Sequence, residues 1–170
     1  MKFQSTSISR LATALALALI VTTAACSGKK TKTDDTGSAP VAPAVVEENA
    51  LGDSDSGKAM GLQTIHFPYD SFVLDGQAKS ALKSNADTLK DKSSAKVQIE
   101  GHCDQRGGIQ YNIALGEKRA NVVKKYLQGL GVSADRVTTI SYGKERPIDS
   151  AESEEAYSKN RRANFVITTR

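Results

Sequence analysis

Residues 97–130 read VQIEGHCDQRGGIQYNIALGEKRANVVKKYLQGL, and their periodicity decides the fold. Val97, Ile99 and Gly101 alternate with Gln98, Glu100 and His102, the period of two expected of a half-buried strand. Asp104 to Gly108 then crowd polar and turn-forming residues together, which ends the strand. From about Gln110 the spacing becomes helical. Ile113, Ala120, Val123, Tyr126, Leu127 and Leu130 fall on one side at steps of three and four, and Gly129 and Gly131 bracket the helix end.

Outward from this unit, the flanking segments complete a small α/β domain. Gln63 to Phe67 alternates as a first strand, and Pro68 ends it and opens a loop of Tyr69, Asp70 and Ser71. Asp75 precedes a helix carrying Ala78, Ala81, Leu82 and Leu89. Val132 to Arg136 is a tight connection into a third strand, Val137 to Tyr142. Glu152 to Tyr157 suits a short helical turn before a last strand, Ala163 to Thr168. The order βαβαβ(α)β predicts right-handed crossovers, a mixed sheet and helices on one face.

The central unit offers a charged pair. Asp104 sits just past the carboxyl end of the strand, and Arg119 lies about two turns into the helix, on the stripe shared by Asn112 and Leu115. Unpaired N–H groups at the helix start, near Ile109 to Tyr111, point to the same crevice and suit an anion. Crevices beyond the carboxyl ends of strands are common ligand sites in open α/β sheets. A plainer reading stands beside this one: Asp104 caps the helix and Arg119 is a solvated charge. At the mouth of a crevice, both side chains are expected to be dispensable to the fold.

The run GHCDQRGGIQYNIALGEKRANVVKKYL, with IHFPYDS upstream and NRRANFVI downstream, resembles the OmpA-like peptidoglycan-binding domain, and most closely its lipoprotein branch in Gram-negative outer membranes. The likeness runs from near Leu62 to the C-terminus. It implies that Asp104 and Arg119 grip the amine and carboxylate of meso-diaminopimelate in a peptidoglycan stem peptide. Asn112 matches the family's YN pair, and Asn160, Arg161 and Arg162 its NRR run. The implied binding set is Asp104, Arg119, Asn112, Leu115, Asp70, Phe67, Tyr69, Gly107 and Arg162. By residue type Tyr69 reads more as a half-buried loop aromatic than as a contact. Whether Arg161 or Arg162 reaches Asp104 is left open. Cys103 departs from the Thr of many members and removes a hydroxyl donor. The resemblance also implies a second class of ligand, a TolB-like periplasmic propeller protein of the Tol system, docking over an overlapping surface. No cofactor is implied.

The N-terminal third reads differently. Residues 1–25 form a targeting segment: Lys2 and Arg10 make a positive leader, Leu11 to Val21 an apolar run too short to anchor, and Thr23, Ala24 and Ala25 are small. Cys26 directly after them resembles a lipobox cysteine, acylated as the first residue of the mature chain, although Thr23 stands where Leu is usual. Ser27 after it favours passage to the outer membrane, with the domain facing the periplasm. Simple cleavage to a soluble periplasmic protein is the alternative. Residues 26–60 are expected to be a disordered linker, rich in Ser, Thr, Gly, Ala, Pro, Lys and Asp. It spans roughly 30 Å as a coil and on the order of 110 Å if stretched, which sets the reach between anchor and wall. Residues 61–170 then form the binding domain.

Charge and cysteine usage exclude other classes. The whole chain has 23 basic and 19 acidic residues. Without Lys2 and Arg10 the balance is +2, too weak to argue for nucleic acid. Cys26 and Cys103 are the chain's two cysteines, so acylation of Cys26 leaves Cys103 without an intrachain partner. His102 and Cys103 alternate at a strand end and point to opposite faces. That makes a Cys/His/Asp nucleophile relay poor, and it equally disfavours zinc held by His66, His102, Cys103 and Asp104. No catalytic residue and no metal is expected.

Overall fold

A computed structural model describes residues 51–170. The expected leader, Cys26 and most of the expected linker lie outside the described residues. The elements run β1 (Ile65–His66), α1 (Gly76–Asp91), β2 (Lys96–His102), α2 (Ile109–Gly129), β3 (Val137–Gly143), α3 (Glu154–Asn160) and β4 (Arg162–Thr169), with a single 3₁₀ turn at Ala134–Arg136. The expected order of elements therefore holds. Asp75 caps α1 by accepting from the Ala78 N–H at 2.7 Å, and Ser153 caps α3 in the same way.

The four strands form one mixed sheet in the order β1-β4-β2-β3. β2 and β3 are parallel, while β4 runs antiparallel to both β1 and β2. β1 and β2 consequently point the same way without touching, and their carboxyl ends open on one side of the sheet. On one face Val97 and Ile99 of β2, Phe165 and Ile167 of β4 and Val137 of β3 pack with Leu82, Ala86 and Leu89 of α1 and Ala120, Val123 and Leu127 of α2. These residues share the strand period of two and the helix period of 3.6, so the core is the meeting of two apolar stripes with one sheet face.

Two glycines set how closely α2 lies on that sheet. A Cβ on Gly101 of β2 would overlap the carbonyl oxygen of Gly116, and one on Gly116 of α2 would overlap Ser141 Oγ of β3. The helix therefore crosses β2 at backbone contact, one residue before the strand ends. This lowers the first turns of α2 onto the loop that follows β2.

Three expectations are corrected here. The first strand is two residues rather than five. The Gln63 N–H donates to Asn85 Oδ1 and the Gln63 carbonyl accepts from Asn85 Nδ2, both at 2.8 Å, so a buried helix side chain takes the backbone groups that a sheet partner would have used. The expected disorder does not hold for residues 51–60. Leu51 N–H donates to Ile167 O, Ile167 N–H to Gly52 O and Ser54 N–H to Phe165 O, at 2.8–2.9 Å, extending the free edge of β4 beyond β1. Ala59 and Leu62 are buried in the core and Asp55 pairs with Arg162 at 2.7 Å, so the described residues 51–60 belong to the domain. An unpaired edge of a central strand is costly to leave open, and a low-complexity segment with free backbone groups covers it. Finally, Arg119 does not sit at the mouth of a crevice but is wholly buried.

Candidate functional site

Three loops converge beyond the carboxyl ends of β1 and β2: residues 67–73, the turn 103–108, and the segment leading through α3 to Arg161. Between the first two of these and the start of α2 lies a crevice of about 200 Å³. Its floor and walls include Asp104, Arg119, Asn112, Leu115 and Cys103, and its rim includes Tyr69, Asp70, Arg106, Gly107 and Tyr111.

Arg119 organises the loops. Its Nε donates to Ser71 O at 2.8 Å, Nη1 to His102 O at 2.8 Å and Nη2 to Pro68 O at 3.2 Å, and its guanidinium lies 5.2 Å from the Phe67 ring centroid. One planar fork thus ties the loop after β1 to the end of β2. Burial lowers its pKa, with Cys103 and Asp104 opposing, and it stays charged. Three of its five N–H groups are taken by backbone carbonyls. The reading of Arg119 as a solvated charge is excluded.

Asp104 is 4% exposed and does not cap α2, whose N-cap is Gly108 with no side-chain bond. Its carboxylate accepts from Arg106: the backbone N–H at 3.1 Å and Nε at 3.3 Å on Oδ1, and Nη2 at 2.7 Å on Oδ2. Arg161 Nη1 adds a bond to Oδ2 at 3.2 Å. Burial raises the Asp104 pKa, but the hydrogen bonds from Arg106 and Arg161 outweigh it and hold the carboxyl below the usual carboxylate range. Asn112 locks the turn beneath: its Nδ2 donates to Arg106 O and Gly108 O at 2.8 and 3.1 Å. Gly107 adopts φ +83°, which a side chain tolerates poorly. Tyr111 Oη donates to Asp70 Oδ1, and Asp70 itself sits at φ +49°, so the rim is closed by a bond between the first loop and the first turn of α2.

Seven residues of the expected set line the crevice: Asp104, Arg119, Asn112, Leu115, Asp70, Tyr69 and Gly107. Two do not. Phe67 is a buried core residue beneath Arg119. Arg162 is turned to the opposite side, where Nε meets Asp55. Arg161, its neighbour, is the arginine that reaches Asp104, while its Nε holds Phe67 O at 3.1 Å and its Nη2 holds Glu154 at 2.8 Å. Adjacent residues entering a strand point opposite ways, and which of the pair faces the crevice depends on where the ladder begins. Arg106 and Tyr111 were missed, and Cys103, read only as a lost hydroxyl donor, also lines the crevice. Arg106 carries a faint signal, an arginine two residues past an aspartate inside a turn, which is the span over which a side chain folds back.

His102 and Cys103 separate as expected. Cys103 Sγ faces α2 and lies 3.3 Å from Asn112 O, and burial pushes its pKa up to about 11. His102 lies on the other side of the sheet, stacked on Tyr142 with ring centroids 5.6 Å apart. Neither of its ring nitrogens has a hydrogen-bond partner, and Glu100 Oε2 at 3.5 Å is beyond a good bond. Among the described residues no group of three or more His, Cys, Asp or Glu is placed to hold a metal ion.

Residues 66–161 match the OmpA family. The chain belongs to that family. Within it, the chain is 45% identical over 100 residues to the peptidoglycan-associated lipoprotein of Pasteurella multocida, an alignment covering 59% of this chain and 67% of that one. It is 33% identical over 161 residues to the peptidoglycan-associated lipoprotein of Brucella melitensis, covering 95% and 94% of the two chains. The OmpA-family fold is also that of the crystal structure of the peptidoglycan-associated lipoprotein from Burkholderia pseudomallei, at TM-score 0.59 and 36% identity, over 61% of this chain and 88% of that one. The open mixed sheet with α1 and α2 on one face is therefore the α/β domain expected from the periodicities, and the OmpA-like one that the resemblance implies.

Proposed function

We propose that this chain is an outer-membrane lipoprotein whose periplasmic domain binds peptidoglycan stem peptides noncovalently and tethers the membrane to the wall. The observation that carries the reading is a crevice walled by both a carboxylate, Asp104, and a guanidinium, Arg119. The free tip of meso-diaminopimelate carries an ammonium and a carboxylate. Asp104 suits the first; the Arg119 guanidinium in the crevice wall and the positive end of α2 suit the second. The names of the relatives point the same way, and the Brucella alignment extends over nearly the whole chain. Acylation of Cys26 supplies the anchor in this reading, and Cys26→Ser is expected to abolish palmitate labelling and to release the protein from membranes.

The reading is of a binder and not an enzyme. A thiol held protonated at Cys103 is a poor nucleophile, and His102 lies across the sheet from it. Purified protein incubated with peptidoglycan is expected to release no muropeptides above buffer. Retention on protein-free sacculi tests the main claim: wild type is retained, and a folded Asp104→Asn variant is retained at least tenfold less. Equal retention of the two would remove the crevice as the wall site.

An exposed apolar rim favours a second reading. Tyr69, Phe72 and Val73 on the loop after β1, and Ile109 and Tyr111 on the first turn of α2, are 42–65% exposed. Such a rim suits a protein partner, of which a TolB-like propeller in a Tol system serving envelope integrity and cell division is the one the family implies. If sacculi bind equally with and without Asp104 while a propeller partner binds only the wild type, this reading takes first place.

A further inference from the structure

The carboxylate that is to receive the ligand's ammonium group already has a cation on it. Arg106 forks both oxygens of Asp104, with Nη2 at 2.7 Å and Nε at 3.3 Å. Arg161 holds the same carboxylate from behind, yet the two arginines are built differently. Arg161 is 8% exposed and its Nε is fixed to a backbone carbonyl. The Arg106 side chain is 36% exposed, lines the crevice, and its guanidinium makes no bond to backbone. The same guanidinium already reaches a second carboxylate, Glu154, whose other oxygen Arg161 Nη2 holds at 2.8 Å. Nη1 lies 3.3 Å from Glu154 Oε2, and the guanidinium is sandwiched between the rings of Tyr69 at 4.1 Å and Tyr157 at 4.5 Å. Sliding between two aromatic faces keeps the stacking while one carboxylate is exchanged for another.

We propose that Arg106 is an internal stand-in for the ligand's ammonium group: it holds Asp104 in the free protein and yields it to an incoming amine by moving toward Glu154 and Tyr157. The inference rests on Asp104 being the ammonium partner in the reading above. Its physical reason is that a carboxylate as buried as Asp104 is costly to leave without its full set of donors. Its consequence is specificity. A ligand with a neutral group in place of the ammonium breaks a charge-assisted pair and restores none, so its binding falls to a level at which it no longer competes. The apparent affinity for the correct ligand is in turn lowered by the fraction of molecules in which Asp104 is still held.

The test is calorimetric titration of the full-length chain in detergent with a stem tripeptide ending in meso-diaminopimelate, and with the same peptide acetylated on its side-chain amine. Arg106→Gln removes the stand-in, and the amine-bearing peptide is expected to bind about threefold to tenfold tighter, the acetylated one, spared the same displaced pair, gaining by a comparable factor from its weaker start. Arg106→Lys, a cation without the fork, is expected to fall between. Glu154→Gln removes the second carboxylate at a residue that does not line the crevice, and is expected to weaken binding. Unchanged or weaker binding by Arg106→Gln, or unchanged binding by Glu154→Gln, overturns the exchange while wild-type binding leaves the crevice standing as the site. Failure of the wild type to bind the amine-bearing peptide overturns both.

Discussion

Arg119 is where binding and folding are hardest to separate. Replacing it with Ala strips donors from the carbonyls of Pro68, Ser71 and His102 at once and removes the cation above Phe67. A buried group left unsatisfied costs about 1–3 kcal/mol. Three such losses do not add fully, because the emptied site opens on the crevice and admits water. A destabilisation of about 3–5 kcal/mol is expected, out of the roughly 5–15 kcal/mol that holds a domain of this size. Lys at this position keeps the charge, but its point-like ammonium does not reach three splayed carbonyls, and about 2 kcal/mol is expected to be lost. The assay is urea unfolding followed by circular dichroism, with Asp104→Asn as the comparison, since that change leaves the three carbonyls bonded. An Arg119→Ala domain within 1 kcal/mol of wild type would refute the clamp and return Arg119 to the rim.

Gly101→Ala drives a Cβ into the carbonyl of Gly116 and is expected to cost about 3 kcal/mol or more, whereas Gly129→Ala, where a Cβ meets nothing within 4 Å, is expected to be neutral or mildly stabilising in the same unfolding assay. Burial lowers the His102 pKa, with the charge of Arg162 assisting and the contact to Glu100 and the charge of Asp55 opposing. The folded state therefore refuses a proton that the unfolded chain accepts near pH 6.5, so this contribution to stability is present above that pH and is lost as pH falls below it. The urea midpoint of wild type should decline between pH 7 and 5, and that of His102→Gln should be flatter; parallel curves would remove His102 as the cause. Cys103, buried and held as a thiol with a pKa of about 11, should resist a disulfide-exchange reagent at pH 7.5 until urea unfolds the domain, and rapid native labelling would show the floor of the crevice to be open.

Local periodicity settled a good deal without any tertiary information. The strand-turn-helix of residues 97–130, the capping role of Asp75, the order of elements and the opposite facing of His102 and Cys103 all follow from interactions within a few residues of chain, where the period of a strand or helix is itself the cause. Asp104, Asn112, Leu115 and Arg119 also line the crevice from the turn and the helix stripe, whereas Tyr69 and Asp70 come from the loop after β1 and were expected only from the resemblance. The tertiary structure decided what depends on partners distant in sequence. Arg119 looks the same in a string of letters whether water or three carbonyls receive its N–H groups. Those carbonyls, on Pro68, Ser71 and His102, arrive 17 to 51 residues away. Arg161 faces Asp104 and Arg162 faces Asp55 because β4 pairs with β2 in one register; a slip of one residue would exchange them. Residues 51–60 have no period of their own and are ordered by the open edge of β4, so their structure resides in the strand they cover.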